Sequence, residues 1–139
     1  MSQFTSFLDT ITHVNQLPAD MVNQSRWLFY PGMLFDSPFK WWGDFTAPDS
    51  RRATRHEGLD IRYFKSADNQ IKVLEKGTII PAWDDGIVLN ICRDFLGYSI
   101  IIEHDRSPSA RFASVMAHIT PESWITKDTE VKRNDPIAC

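Results

Sequence analysis

The residues best suited to chemistry begin at His56-Glu57-Gly58-Leu59-Asp60. In an extended strand, residues four apart point to the same face. His56 and Asp60 then share one side, with Gly58 leaving open space between them, while Leu59 and Ile61 face the other side toward a core. One nitrogen and one oxygen donor across a gap suit a divalent cation, and zinc accepts that mixture. The competing reading is a solvated strand face carrying an ordinary ion pair. His118 is the second candidate. It closes the apolar run Ser114-Val115-Met116-Ala117 shortly before Pro121. A histidine there serves as a ligand or proton shuttle, or simply hydrogen-bonds to nearby backbone. His104, after Ile100-Ile101-Ile102-Glu103, is expected to be such a backbone-bonded histidine, and His13 has no evident partner.

Other chemistries find little support. There is no Gly-x-Ser-x-Gly elbow and no recognisable Ser/His/Asp set. Cys92 lies in an apolar strand-like run, which predicts burial rather than reactivity. With 2 cysteines, the second being the last residue, a disulfide framework and a cysteine-rich zinc site are both excluded. The 6 glycines are scattered, so no phosphate-cradling loop is formed. Asp84-Asp85 is first of all a turn former. The 15 basic and 18 acidic residues give a net charge of -3, which leaves no positive field for general nucleic-acid binding. No apolar run approaches the roughly 18 residues of a membrane span.

These side chains need a scaffold, and 139 residues at 42% hydrophobic suffice for a core without disulfide staples. Phe4, Phe7, Leu8, Ile11 and Val14 recur at helical spacing, so a short amphipathic helix is expected, ended near Pro18. Residues 27–45 are dense in rings, from Trp27 and Phe29 to Trp41, Trp42 and Phe45. Pro31, Gly32, Pro38 and Gly43 interrupt them, which predicts an irregular packed segment whose rings cover one sheet face or, in the Trp41-Trp42-Gly43-Asp44 stretch, line a groove. Beyond residue 55 the chain reads as strands and turns. Leu59, Ile61 and Tyr63 alternate with polar neighbours. Asp84-Asp85-Gly86 between apolar runs 78–82 and 87–92 predicts a hairpin. Residues 94–97 form the next turn, 98–103 and 111–118 are strands, 121–124 starts a connector, and 131–137 is a last short segment. The expectation is a mainly β, antiparallel fold with a short N-terminal helix, organised as 1–54 (helix and aromatic packing segment) and 55–139.

In order, the motifs are HEGLDI at 56–61, GTIIPAWDDGIV at 77–88, GYSIIIEH at 97–104, SVMAHITP at 114–121 and VKRNDPIA at 131–138. Together they resemble peptidase family M23, the LytM/lysostaphin-type zinc endopeptidases, over residues 55–139. The resemblance implies a β-sandwich of the duplicated-hybrid-motif (LytM-like) type. It also implies a zinc metalloendopeptidase that hydrolyses peptide bonds, typically in peptidoglycan cross-links, by metal-activated water. His56 and Asp60 match two of the family's zinc ligands. His118 matches its first catalytic histidine, which orients the water or stabilises the oxyanion.

The departures shape a second expectation. The family's third ligand and second catalytic histidine come from a His-x-His pair after the "I-A" segment, and no histidine follows His118. Asn134-Asp135-Pro136 replaces the usual glycine, and Met116 stands where a tyrosine is common. A catalytic zinc site normally uses three protein ligands. The chain is therefore expected to be a truncated member with an unpaired sheet edge. The alternative is a degenerate, non-catalytic binding or regulatory module. A third possibility is a sugar-phosphotransferase carrier, accepting phosphoryl on His118 or His104, but it leaves His56 and Asp60 unexplained. Residues 1–17 carry no secretory signal. This conflicts with an extracellular substrate and leaves localisation open.

Overall fold

The computed structural model describes residues 3–18, 27–41, 50–105 and 111–139. Among these residues the protein is mainly β, with antiparallel sheets and one short N-terminal α-helix. Helix α1 spans Gln3–Val14. The strands are β1 (Trp27–Leu28), β2 (Tyr63–Lys65), β3 (Ile71–Val73), β4 (Ile80–Pro81), β5 (Gly86–Arg93), β6 (Tyr98–Asp105), β7 (Arg111–Ile119), β8 (Glu130–Val131) and β9 (Pro136–Ala138). A 3-10 turn covers Pro31–Met33. The chain divides into two compact units, one of Met1–Leu17 with Glu75–Cys139, the other of Pro18–Leu74. These divisions differ from the expected boundary at 54/55, for two local reasons. The apolar face of α1 buries Phe7, Leu8 and Ile11, with Phe7 centred 5.0 Å from the Trp83 ring, which ties the helix to the later strands. Strand β1 pairs with β2, which ties the aromatic segment to residues 63–65.

In the first unit β5, β6, β7 and β8 form a four-stranded sheet in the order β7-β6-β5-β8, and β4 pairs with β9. Alternation along β6 turns Ile100, Ile102 and His104 inward, all fully buried. Val88, Ala82, Ile125, Val131, Ile137 and Ala138 complete that core. Asn15, just past α1, clasps a backbone: its amide nitrogen donates to Ile79 O at 2.9 Å and its oxygen accepts from Ile79 N at 2.7 Å.

Two expectations fail here for identifiable reasons. Asp84-Asp85-Gly86 makes no hairpin, because the runs on either side join different sheets. Asp85 is committed elsewhere: its Oδ1 accepts from Arg133 N at 2.8 Å, and its carbonyl meets His104 Nδ1 at 2.8 Å. Gly86 then lets β5 come close to β6, since a Cβ there would stand 2.4 Å from Glu103 O. Cys92 is exposed, not buried. The β5–β6 register shifts between Val88 and Asn90. That bulge exchanges inward and outward positions, so Ile91 joins the core and Cys92 turns out.

The second unit holds the sheet β1-β2-β3. Strands β2 and β3 form a hairpin with Asn69 at φ 68, a left-handed position that asparagine tolerates. Phe64 is buried and lies 5.8 Å from the Trp27 ring. Residues 33–40 run against 50–60 through backbone bonds from Lys40 N to Ser50 O (2.8 Å), Arg52 N to Pro38 O (2.8 Å) and His56 N to Ser37 O (3.0 Å). The expected strand at 59–63 begins only at Tyr63. Residues 56–60 are irregular, and Leu59 is exposed rather than core-facing.

Candidate metal-binding pair and histidine couple

His56 and Asp60 do meet, though by a bent loop and not by strand periodicity. Their backbones are pinned to the 3-10 turn and the residues after it: Asp36 N donates to His56 O at 2.8 Å, and Asp60 N donates to Met33 O at 2.9 Å. Met33 is wholly buried, so this anchor is fixed by packing. His56 Nδ1 lies 3.1 Å from Leu34 O, an acceptor, so Nδ1 carries the proton and donates. Nε2 then faces Asp60 Oδ1 at 3.3 Å. Two acceptors approach so closely only with a proton or a cation between them. A proton makes an imidazolium–carboxylate pair. A cation makes a metal site, and tetrahedral zinc with bonds of about 2.1 Å separates its donor atoms by roughly 3.4 Å. The observed separation fits that edge, and a carbonyl partner on the far ring nitrogen is the usual support of a metal-bound histidine.

The second carboxylate oxygen is held from behind. Asp60 Oδ2 accepts from the Trp41 indole N–H, and the Arg52 guanidinium stands 3.7 Å away. Arg52 is itself anchored by Gly32 O at 2.9 Å and Phe39 O at 3.0 Å. Asp60 therefore presents Oδ1 alone to the gap. A Cβ on Gly58 would stand 3.9 Å from His56 Nε2, in ordinary contact with the ring. Among the described residues no group of three or more His, Cys, Asp or Glu is arranged to hold a metal ion; this pair offers two donor atoms.

The Trp41 ring also walls a cleft of about 550 Å³ lined by Tyr30, Pro31, Phe39, Lys40 and Tyr63. Trp41 and Tyr63 meet edge to face at 5.9 Å, and the Arg62 guanidinium lies 5.3 Å from the Trp41 centroid. Phe35 and Phe39 are exposed, so not every ring of the segment serves as satellite packing. Trp42, Gly43, Asp44 and Phe45 lie outside the described residues.

His118 belongs to the other unit, at the end of β7. Ala117 and His118 stand opposite the single residue Ser99, where the β6–β7 register shifts. This bulge puts His118 at φ 63 and re-aims its side chain. Its ring Nδ1 lies 3.1 Å from Asp94 Oδ1, and its backbone N–H donates to Asp94 Oδ2 at 2.9 Å. Asp94 Oδ1 also accepts from Leu96 N (2.9 Å) and Gly97 N (2.7 Å), and Oδ2 from the Ser99 hydroxyl (2.9 Å). Desolvation pushes the Asp94 carboxyl up, but donation from the backbone N–H groups of His118 and Leu96, the His118 ring and Ser99 outweighs it. The group is held well below the usual carboxylate range. Phe95 lies against the imidazole, edge to face at 4.7 Å.

His104 is buried and satisfied: Nδ1 meets Asp85 O and Nε2 meets Ser114 Oγ, each at 2.8 Å, with Phe112 stacked at 4.8 Å. This agrees with its expected structural role. Sequence reasoning missed Asp94, whose Asp-Phe-Leu-Gly setting signals only a turn. It also missed Arg52 and the Leu34 carbonyl, which carry no signal at all. No protein-family model, no curated protein and no solved structure matches the chain.

Proposed function

We propose that this chain is a zinc metalloendopeptidase domain of the LytM/lysostaphin type, hydrolysing peptide bonds in peptidoglycan cross-links. The observation that carries the reading is the approach of His56 Nε2 to Asp60 Oδ1 at 3.3 Å, with Nδ1 occupied by the Leu34 carbonyl. The mainly antiparallel β architecture agrees with the duplicated-hybrid-motif fold that this family uses. His56 and Asp60 would hold the metal. Zinc in such a site supplies a Lewis acid for the scissile carbonyl and lowers the pKa of bound water. His56 offers Nε2 because Leu34 O takes its other ring proton. Asp60 offers Oδ1 because Trp41 and Arg52 take Oδ2. His118 belongs to the other compact unit; the resemblance gives it the family's proton-handling role, for which Nε2 would be the accepting atom.

Calorimetric titration with zinc tests the reading. Zinc is expected to bind, with affinity lost in both His56→Ala and Asp60→Ala and kept in His13→Ala. Binding that survives both ligand substitutions overturns the assignment. The two-ligand count favours a second reading, a module that binds glycine-rich peptides without cutting them. Peptide bound with zinc present and still intact after prolonged incubation would select it.

A further inference from the structure

We infer that Asp94 is a positioning residue for His118: it holds the imidazole as the Nδ1–H tautomer and presents Nε2 as the proton-accepting atom. As a statement about catalysis this rests on the role proposed for His118. As a statement about geometry it stands on the couple itself.

Three features carry it. Asp94 grips His118 twice, by the ring at 3.1 Å and by the backbone N–H at 2.9 Å, so both orientation and placement are fixed by one carboxylate. That carboxylate is immobilised by three further donors, Leu96 N, Gly97 N and Ser99 Oγ, and cannot follow the ring if the ring turns. The bulge opposite Ser99 and the left-handed backbone at His118 are a local cost that ordinary strand continuation would avoid. A turn that needed only its own cap would be satisfied by Leu96 and Gly97. The extra residue in β7 instead carries an imidazole onto that cap.

The chemistry follows from the tautomer. An ionised carboxylate accepts only, so the ring nitrogen facing it must carry hydrogen. Nε2 then holds the lone pair. When Nε2 takes a proton from water, the resulting imidazolium faces a fixed negative charge and is stabilised. When it gives the proton to a leaving amine, the ring returns to its starting tautomer. Atoms and charge balance within the couple, and Asp94 itself stays ionised throughout.

Long-range proton–nitrogen NMR on the intact chain tests this. His118 is assigned by loss of its signals in His118→Gln. The expected result is a protonated Nδ1 in the parent chain, a switch to the Nε2–H form in Asp94→Ala, and no change in Asp105→Ala, a carboxylate paired with Arg111 instead. On a glycine-rich peptide, Asp94→Ala should lower kcat about 100-fold or more with KM little changed. A parent chain that already shows Nε2–H overturns the inference even if Asp94→Ala does not fold. So does an Asp94→Ala protein that keeps the Nδ1–H form. If the tautomer behaves as stated but the parent cuts no peptide, Asp94 still positions His118 and it is the peptidase reading that fails.

Discussion

Asp60 has two oxygens with two different tasks, and Trp41 separates them. Its indole N–H holds Oδ2, while Oδ1 faces His56. Trp41→Phe leaves an aromatic ring at the cleft wall and removes the N–H donor. Partners of this kind are worth about 10- to 100-fold in metal affinity. A drop of that size is the expected result of zinc titration on the variant, and an unchanged affinity would remove Trp41 from the site. Asp94 makes a different prediction, on acid stability. Its carboxyl is depressed in the folded protein, so its contribution is fully present above the unfolded value, near 3.9. It is lost as pH falls toward the folded value. Urea unfolding between pH 5 and about pH 2 should therefore show a shallower acid loss for Asp94→Asn than for the parent chain. Asp85, lowered by its bond from Arg133 N, adds to the same limb in both proteins and does not erase the difference.

At the scale of elements, two contacts decide how strands meet. Gly86 lies against β6 so closely that an added Cβ would stand 2.4 Å from a backbone oxygen, which no rotamer change relieves. Gly86→Ala must push β5 off β6, and a loss of about 1–3 kcal/mol is expected from chemical denaturation. An unchanged midpoint would mean that the two strands tolerate a wider spacing. Asn15 fastens the end of α1 to both backbone groups of Ile79. Asn15→Ala leaves those groups to find water and should cost about 1–3 kcal/mol. Faster hydrogen exchange at the Ile79 amide is the specific sign, because generalised loosening would spread beyond it. The bulges belong to this scale too. One turns Cys92 outward and the other seats His118 on Asp94. Alternation along a sequence reads straight strands well and says nothing about where an extra residue is inserted.

For the whole molecule, the two compact units interleave along the chain, since residues 1–17 belong with 75–139 and residues 18–74 form the other unit. A piece comprising only 55–139 lacks the helix that packs on Trp83 and the strand that pairs with β2. It is expected to melt without the cooperative transition of the full chain. A sharp transition at the same temperature would show that α1 and β1 are accessories. No helix among the described residues is long and apolar enough to cross a membrane. Sequence alone determined the helix, the turn at 94–97 and most strands. Each of these depends on local periodicity or local turn chemistry. It did not determine which strands pair, why residues 84–86 cross between sheets, or that Asp94 takes hold of His118 across 24 positions. Those outcomes depend on donors and acceptors brought together from distant parts of the chain. Tertiary structure decided them because a buried or committed polar group must find its partner wherever packing places one.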